Sequence, residues 1–73
     1  MKIDNWTVNP KVTEDVIVEA VERYRSSLDN PGFCLCCGCE ADGVEPDARK
    51  YKCEACGAPA VYGAEELLMR IAL

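Results

Sequence analysis

Six cysteines dominate the chemistry available to this chain of 73 residues. Two segments, 34–38 and 53–57, each contain a Cys-x-x-Cys-Gly step, and fifteen residues separate Cys37 from Cys53. Two residues between paired cysteines allow both sulfurs to point to one side of a tight turn, about 2.3 Å from a single ion. The glycine can adopt the positive φ that such a turn requires, which leaves backbone N–H groups free to donate to the thiolates. Two such steps at this separation are typical of a four-thiolate metal site.

The first segment can supply its pair of ligands in two ways, because four cysteines stand within six residues. Pairing Cys34 with Cys37 places a glycine next, as in the second segment. Pairing Cys36 with Cys39 places Glu40 next, which disfavours positive φ and would set a carboxylate beside a dianionic site. The match between the two segments favours one Zn²⁺ held by Cys34, Cys37, Cys53 and Cys56. Adjacent thiols can exchange as ligands of a soft metal, so the other pairing stays open.

Cys36 and Cys39 are spare in the favoured pairing, and their thiols have two interpretations. They are small, half-buried side chains at positions where alanine or serine would serve equally well. Alternatively, they are thiols that oxidise beside the metal site and release the ion. The first interpretation needs no further chemistry and is favoured.

The short chain requires a staple, because 73 residues lie near the lower limit for a core that is stable by itself. Three disulfides are the alternative to a metal. The first residues contain no apolar run typical of a secretory signal, and the adjacent Cys36 and Cys37 hinder ordinary bridging geometry. We therefore expect a metal-binding protein in a reducing, cytoplasmic compartment, without a membrane span.

Acidic side chains outnumber basic ones by thirteen to eight, which gives a formal charge of −5. Four thiolates and one Zn²⁺ together add −2, so the metal-loaded chain would carry −7. This charge repels the phosphate backbone and disfavours nucleic acid as a partner. The local exception is a cluster of three cations, Arg49, Lys50 and Lys52. The cluster either offsets the charge of the metal site, which is favoured, or forms a small nucleic-acid patch.

Hydrophobic periodicity predicts two helices around the cysteine segments. Apolar residues recur at steps of three and four over 13–28, with Thr13 as N-cap and a helix-breaking cluster at 29–32. A second, shorter helix is predicted over 64–73. The intervening pattern predicts turns at 40–43 and 45–47 and short strands near Val44, at 49–52 and at 60–62.

With these elements the chain resembles a zinc ribbon. The runs GVEPDARKYKCEACG at 43–57 and VYGAEELL at 61–68 resemble small zinc-ribbon proteins of bacteriophages and prophages. The resemblance implies structural zinc and a bacterial or phage cytoplasmic setting, and it carries no assigned activity. The expected fold is one small, metal-stapled α+β domain over 1–73. Its parts are an N-terminal arm over 1–12, a helix over 13–28, a zinc ribbon over 33–63 with short antiparallel strands, and a helix over 64–73.

Three functions compete for such a chain. The favoured one is a non-catalytic binding module that contacts a protein partner or a second copy of itself. The second is a nucleic-acid-associated regulator that uses Arg49, Lys50 and Lys52. The third is electron transfer by iron in a rubredoxin-like site. Catalysis is not expected, because the chain has no histidine to activate a nucleophile and four thiolates leave a zinc ion no open position.

Two further features bear on the partner. The run 45–49 is either a rigid turn, in which Arg49 pairs with a carboxylate across the turn, or a recognition loop. The two helices carry more apolar side chains than a small ribbon can cover, so we expect most of them to pack together and a modest apolar patch to remain around Met69. The side chains concerned are Trp6, Val16, Ile17, Val21, Tyr24, Leu28, Leu67, Leu68, Met69 and Ile71.

Overall fold

Two helices and six short strands make up the part of the chain that the computed structural model describes, residues 2–26, 31–45 and 47–72. The predicted α+β class with antiparallel strands is confirmed. In chain order the elements are β1 (Lys2–Ile3), β2 (Trp6–Thr7), α1 (Glu14–Ser26), β3 (Gly32–Cys34), β4 (Glu40–Ala41), β5 (Tyr51–Lys52), β6 (Pro59–Gly63) and α2 (Ala64–Ala72). Neither helix has the length and apolar character needed to cross a membrane, within these described residues.

A four-stranded antiparallel sheet with the order β4-β3-β6-β5 positions the cysteine segments. The central strands β3 and β6 pair Phe33 with Tyr62 and Cys34 with Val61. All four of these side chains are buried. Cys34 ends β3, and Cys53 follows directly after β5, so the sheet brings the starts of both cysteine segments to neighbouring positions.

Two strand predictions fail between the cysteine segments. The strand predicted near Val44 is absent, and Glu40–Ala41, which was predicted to turn, forms β4 instead. The reason is that the first cysteine segment turns the chain back along β3, which sets Glu40 opposite Phe33. Val44 packs beside β3, since a Cβ built on Gly32 would lie 2.5 Å from a methyl group of Val44. The two other predicted strands overlap β5 and β6.

The N-terminal arm contains a hairpin, β1–β2, that the sequence analysis missed. Asp4 and Asn5 form its turn with φ of 50° and 73°, and two consecutive residues of positive φ are typical of two-residue hairpin turns. Ile3, Val8 and Val12 are buried in the core. The arm is therefore part of the core and not a loose cover over it.

The first helix begins as the sequence predicts, with Thr13 as its cap. The Oγ1 atom of Thr13 accepts a hydrogen bond of 3.2 Å from the backbone N–H of Val16. The predicted C-terminal end of α1 lies outside the described residues. The two helices contact each other, and Ile17, Val21 and Leu67 are buried between the elements of the core.

A buried carboxylate, Glu66, joins several elements through ion pairs. Glu66 is 4% exposed and pairs with Arg70 at 2.8 Å and with Arg49 at 3.2 Å. Arg70 also pairs with Asp4 at 2.9 Å, and Asp4 accepts a hydrogen bond from the hydroxyl of Tyr62. The hydrogen bonds from Arg70 and Tyr62 lower the pKa of Asp4, and burial raises the pKa of Tyr62 to about 12. The prediction that Arg49 pairs across its own turn is wrong, because its partner lies on α2.

Candidate metal centre

Four sulfur atoms gather at one end of the sheet. The sulfurs of Cys34, Cys37, Cys53 and Cys56 all lie within 4.8 Å of one another. The distance between the Sγ atoms is 3.7 Å from Cys34 to Cys56 and 3.7 Å from Cys37 to Cys53. A tetrahedral site with metal–sulfur bonds of about 2.3 Å has sulfur–sulfur edges of about 3.8 Å. All six cysteines are free of disulfides, so these four could hold a metal ion.

The backbone forms the same turn twice around this cluster. In the first knuckle, residues 34–39, Cys34 accepts two backbone hydrogen bonds. The N–H of Gly38 donates to the carbonyl of Cys34 at 2.9 Å, and the N–H of Cys37 donates to the sulfur of Cys34 at 3.4 Å. The equivalent hydrogen bonds of the second knuckle, residues 53–58, measure 2.8 and 3.5 Å. The two glycines have φ of 81° and 79°. Each knuckle therefore presents two sulfurs from one backbone conformation, as the Cys-x-x-Cys-Gly repeat predicts.

Hydrogen bonds and burial give the four thiols unequal acidity. A backbone N–H from Cys39 lowers the pKa of Cys37 to about 6, and the N–H of Cys56 lowers the pKa of Cys53. Burial raises the pKa of Cys34. Cys56 accepts a backbone N–H bond that lowers its pKa, but desolvation and the neighbouring thiols outweigh this bond and raise the pKa to about 12. Because metal ligands must be deprotonated, an ion binding here would release the protons of those thiols that still carry them.

Asn9 of the N-terminal arm forms hydrogen bonds with the first knuckle. Asn9 holds the first knuckle from outside: its backbone N–H donates to the carbonyl of Leu35 at 2.9 Å, and its side-chain amide donates to the carbonyl of Cys36 at 3.0 Å. The side-chain oxygen of Asn9 accepts from the N–H of Lys11, which fixes the arm in a turn. Sequence reasoning missed Asn9, although the Asn9–Pro10 pair is a turn signal. Asn9 therefore supports the shape of the first knuckle.

Replacing the glycine of each knuckle by alanine should destabilise the first knuckle more than the second. Both substitutions place a Cβ at positive φ, which costs roughly 1–2 kcal/mol. At Gly57 the new Cβ would meet nothing within 4 Å, whereas at Gly38 it would lie 2.8 Å from the side-chain oxygen of Asn9. Moving Asn9 aside breaks its side-chain hydrogen bonds, so Gly38→Ala should destabilise the metal-loaded protein by about 1 kcal/mol more than Gly57→Ala. Urea unfolding of both variants measures the difference, and equal losses would contradict the role of Asn9.

The alternative pair of ligands is not brought into the cluster. Cys36 and Cys39 are exposed, and neither sulfur belongs to the group of four. The neighbouring thiol of Cys37 raises the pKa of Cys39. Glu40, the residue that weighed against the alternative pairing, forms an ion pair with Arg23 at 3.1 Å. The favoured set of four is thus the one whose geometry suits a single ion.

Comparisons with known proteins do not extend this interpretation. No protein-family model, curated protein or solved structure matches the chain. The metal centre is therefore interpreted from its own sulfur geometry and hydrogen bonds.

Proposed function

We propose that Cys34, Cys37, Cys53 and Cys56 bind one Zn²⁺ and that the chain is a zinc ribbon whose ion holds the two knuckles together. The observation that carries the proposal is the group of four sulfurs within 4.8 Å of one another, with two separations of 3.7 Å. Zinc is bound tetrahedrally in structural sites, and four thiolates leave no open position for water or substrate. The ion therefore maintains structure and performs no reaction.

On this basis the protein acts as a non-catalytic binding module. The sequence contains no histidine, so it cannot form the nucleophile–histidine pairs that many hydrolases use. The resemblance of residues 43–68 to zinc-ribbon proteins of phages and prophages supports a bacterial or phage-infected cytoplasm as its setting. A formal charge of −7 with zinc bound favours a protein as the partner over nucleic acid.

The surface proposed for this partner surrounds Met69 on α2. Met69 is 60% exposed, and its neighbours Leu68 and Ile71 are half-buried against the core. Methionine side chains are flexible and polarisable, so they adapt to apolar surfaces of different shapes. The Met69 surface, meaning Met69 with the exposed parts of Leu68 and Ile71, would contact another protein or a second copy of the chain.

Replacing Met69 by glutamate should abolish binding at this surface without unfolding the protein. Exposed substitutions usually change the free energy of unfolding by less than about 0.5 kcal/mol, so the variant should keep its metal. We expect it to lose self-association in sedimentation velocity, or the partner captured when the tagged protein is purified from a bacterial host. Lys50→Glu introduces the same side chain at another exposed position and changes the net charge by −2, whereas Met69→Glu changes it by −1. If Met69→Glu binds like the wild type and Lys50→Glu does not, the Met69 surface is not the binding site.

A nucleic-acid-associated regulator is the second candidate function, because the edge strand β5 exposes an aromatic side chain next to cations. Tyr51 is 41% exposed between Lys50 and Lys52, and an aromatic ring flanked by cations suits base stacking with phosphate contacts. Arg49, the third cation of the cluster, is paired with Glu66, which reduces the charge available to phosphates. Salt-sensitive retention on heparin that disappears in Lys50→Glu would support this candidate. A red colour after aerobic purification would instead support iron and electron transfer.

A further inference from the structure

An open groove of about 400 Å³ lies on the four-stranded sheet. Residues 39–44 and 51–55 and Val61 line it, and neither helix contributes a residue to this lining in the part of the chain that the structure describes. Because β4 and β5 are the two edge strands of the sheet, they form the sides of the groove, and Val61 of β6 lies between them. The groove is therefore a surface separate from the Met69 surface on α2.

The bottom of the groove is apolar. Tyr51 pairs directly with Val61 across β5 and β6, and directly opposed residues of an antiparallel pair place their side chains on the same face of the sheet. Val61 is buried, whereas Tyr51 is 41% exposed. Ala41 and Val44 are partly buried and complete the apolar part of the lining. The ring of Tyr51 is thus the largest exposed apolar surface in the groove.

The charged side chains that line the groove are mainly acidic. Three carboxylates, those of Glu40, Asp42 and Glu54, against one lysine, Lys52, give the lining a net charge of −2. Glu40 forms an ion pair with Arg23 at 3.1 Å. Asp42 and Glu54 are exposed, and neither forms an ion pair or a side-chain hydrogen bond with another described residue. Two carboxylates without a partner therefore lie beside the apolar bottom of the groove.

We propose that this groove binds an extended, arginine-containing segment of another protein. The guanidinium group of arginine is planar, so it can stack on the ring of Tyr51 and also donate paired hydrogen bonds to a carboxylate. Asp42 and Glu54 supply such carboxylates, and apolar side chains of the segment would cover Val44 and the ring of Tyr51. The proposal concerns a second protein-binding surface and does not depend on the Met69 surface.

The same charges disfavour a nucleic acid in this groove. Bases of single-stranded nucleic acids also stack on aromatic rings, but their phosphates must then find cations along the groove. Of the three clustered cations, Lys52 lines the groove, whereas Arg49 and Lys50 lie outside it. Phosphates that follow the groove would meet Asp42 and Glu54, and the like charges would repel each other.

Amide NMR titrations of the purified protein locate the binding site. The probe is the peptide Arg-Val-Arg-Val-Arg, acetylated and amidated to remove its terminal charges. The matched probes are the same peptide with glutamate in place of arginine, and oligothymidylate. We expect saturable shifts at residues 41–44 and 51–54 with the arginine peptide, smaller shifts at high salt, and no saturable shifts with the two anionic probes.

Fluorescence anisotropy with the labelled arginine peptide then measures the contribution of each side chain. Asp42→Asn and Glu54→Gln should each weaken binding about two- to fivefold, the range of an exposed ion pair. Tyr51→Ala should weaken binding about fivefold through loss of stacking and apolar contact. Glu19→Gln is the matched control, because it removes one negative charge at an exposed position of α1 outside the groove, and it should bind like the wild type.

Four results would overturn the proposal. They are the absence of saturable shifts with the arginine peptide, shifts confined to residues outside the groove, an equal loss of affinity in Glu19→Gln and the two groove carboxylate variants, and preferential binding of oligothymidylate at residues 41–44 and 51–54. The last result would make nucleic acid the ligand. Met69→Glu should bind the peptide like the wild type, so failure of the groove proposal leaves the metal site and the Met69 surface to their own tests. The shifts of the wild type decide the location even where a variant fails to fold.

Discussion

Replacing any one of the four clustered cysteines by serine is expected to abolish stoichiometric metal binding. The sulfurs of Cys34, Cys37, Cys53 and Cys56 lie within 4.8 Å of one another, so each supplies one corner of the same site. A serine hydroxyl is a poor ligand for zinc at neutral pH, and loss of one thiolate leaves an incomplete shell in a site built to be closed. Elemental analysis and native mass spectrometry of each variant should show less than one ion per chain.

The matched controls for these variants are the two spare cysteines. Cys36→Ser and Cys39→Ser should each retain one ion, because both side chains are exposed and outside the four-sulfur group. Retention of zinc by Cys34→Ser together with its loss from Cys36→Ser would mean that the alternative pairing supplies the ligands. Comparing the zinc content of these variants therefore identifies the ligands, because a general loss of stability would not distinguish one cysteine from another.

Removing the metal is expected to unfold residues 33–63, which contain both knuckles. Apparent binding free energies of structural zinc are about 10–16 kcal/mol in small peptides, comparable to or greater than the whole stability of an ordinary domain, about 5–15 kcal/mol. The core here is small, and two of the thiols, Cys34 and Cys53, are themselves buried members of it. Without an ion, four thiols of unequal pKa remain crowded at 3.7–4.8 Å with nothing to join the knuckles.

Amide NMR spectra before and after chelation measure this effect. Signals from residues 33–63 should lose their dispersion, while the helical circular dichroism signal should fall less because α1 and α2 can retain part of their helical structure. Adding Zn²⁺ back should restore the spectrum. A spectrum that is unchanged by complete metal removal would show that the hydrophobic core keeps residues 33–63 folded without the ion.

The cysteine cluster was predictable from sequence because its geometry is local. Each pair of ligands lies within one turn. The glycine at the end of each turn indicates a positive φ at that position, and both Gly38 and Gly57 adopt one. Matching one knuckle to the other was enough to select the same four cysteines that the structure brings together. The cap of α1 at Thr13 was predictable for the same reason, since a helix N-terminus is determined by a few adjacent residues.

The missed features depend on contacts between residues distant in sequence. Glu40 becomes part of a strand only because the first knuckle folds it back against Phe33, and no local pattern indicates that pairing. Arg49 finds its partner Glu66 on a helix seventeen residues away. The hairpin turn at Asp4 and Asn5 did leave a local signal, because these residues tolerate positive φ, but the strands on either side are only two residues long.

The most direct test of the central claim is X-ray absorption spectroscopy at the zinc edge of the purified, metal-loaded protein. A closed structural site formed by Cys34, Cys37, Cys53 and Cys56 predicts one zinc per chain with four sulfur neighbours at about 2.3 Å and no nitrogen or oxygen ligand. The same sample should give no iron signal. Iron in place of zinc, or a shell with three or fewer sulfurs completed by oxygen or nitrogen, would contradict the closed zinc site on which the proposed function rests.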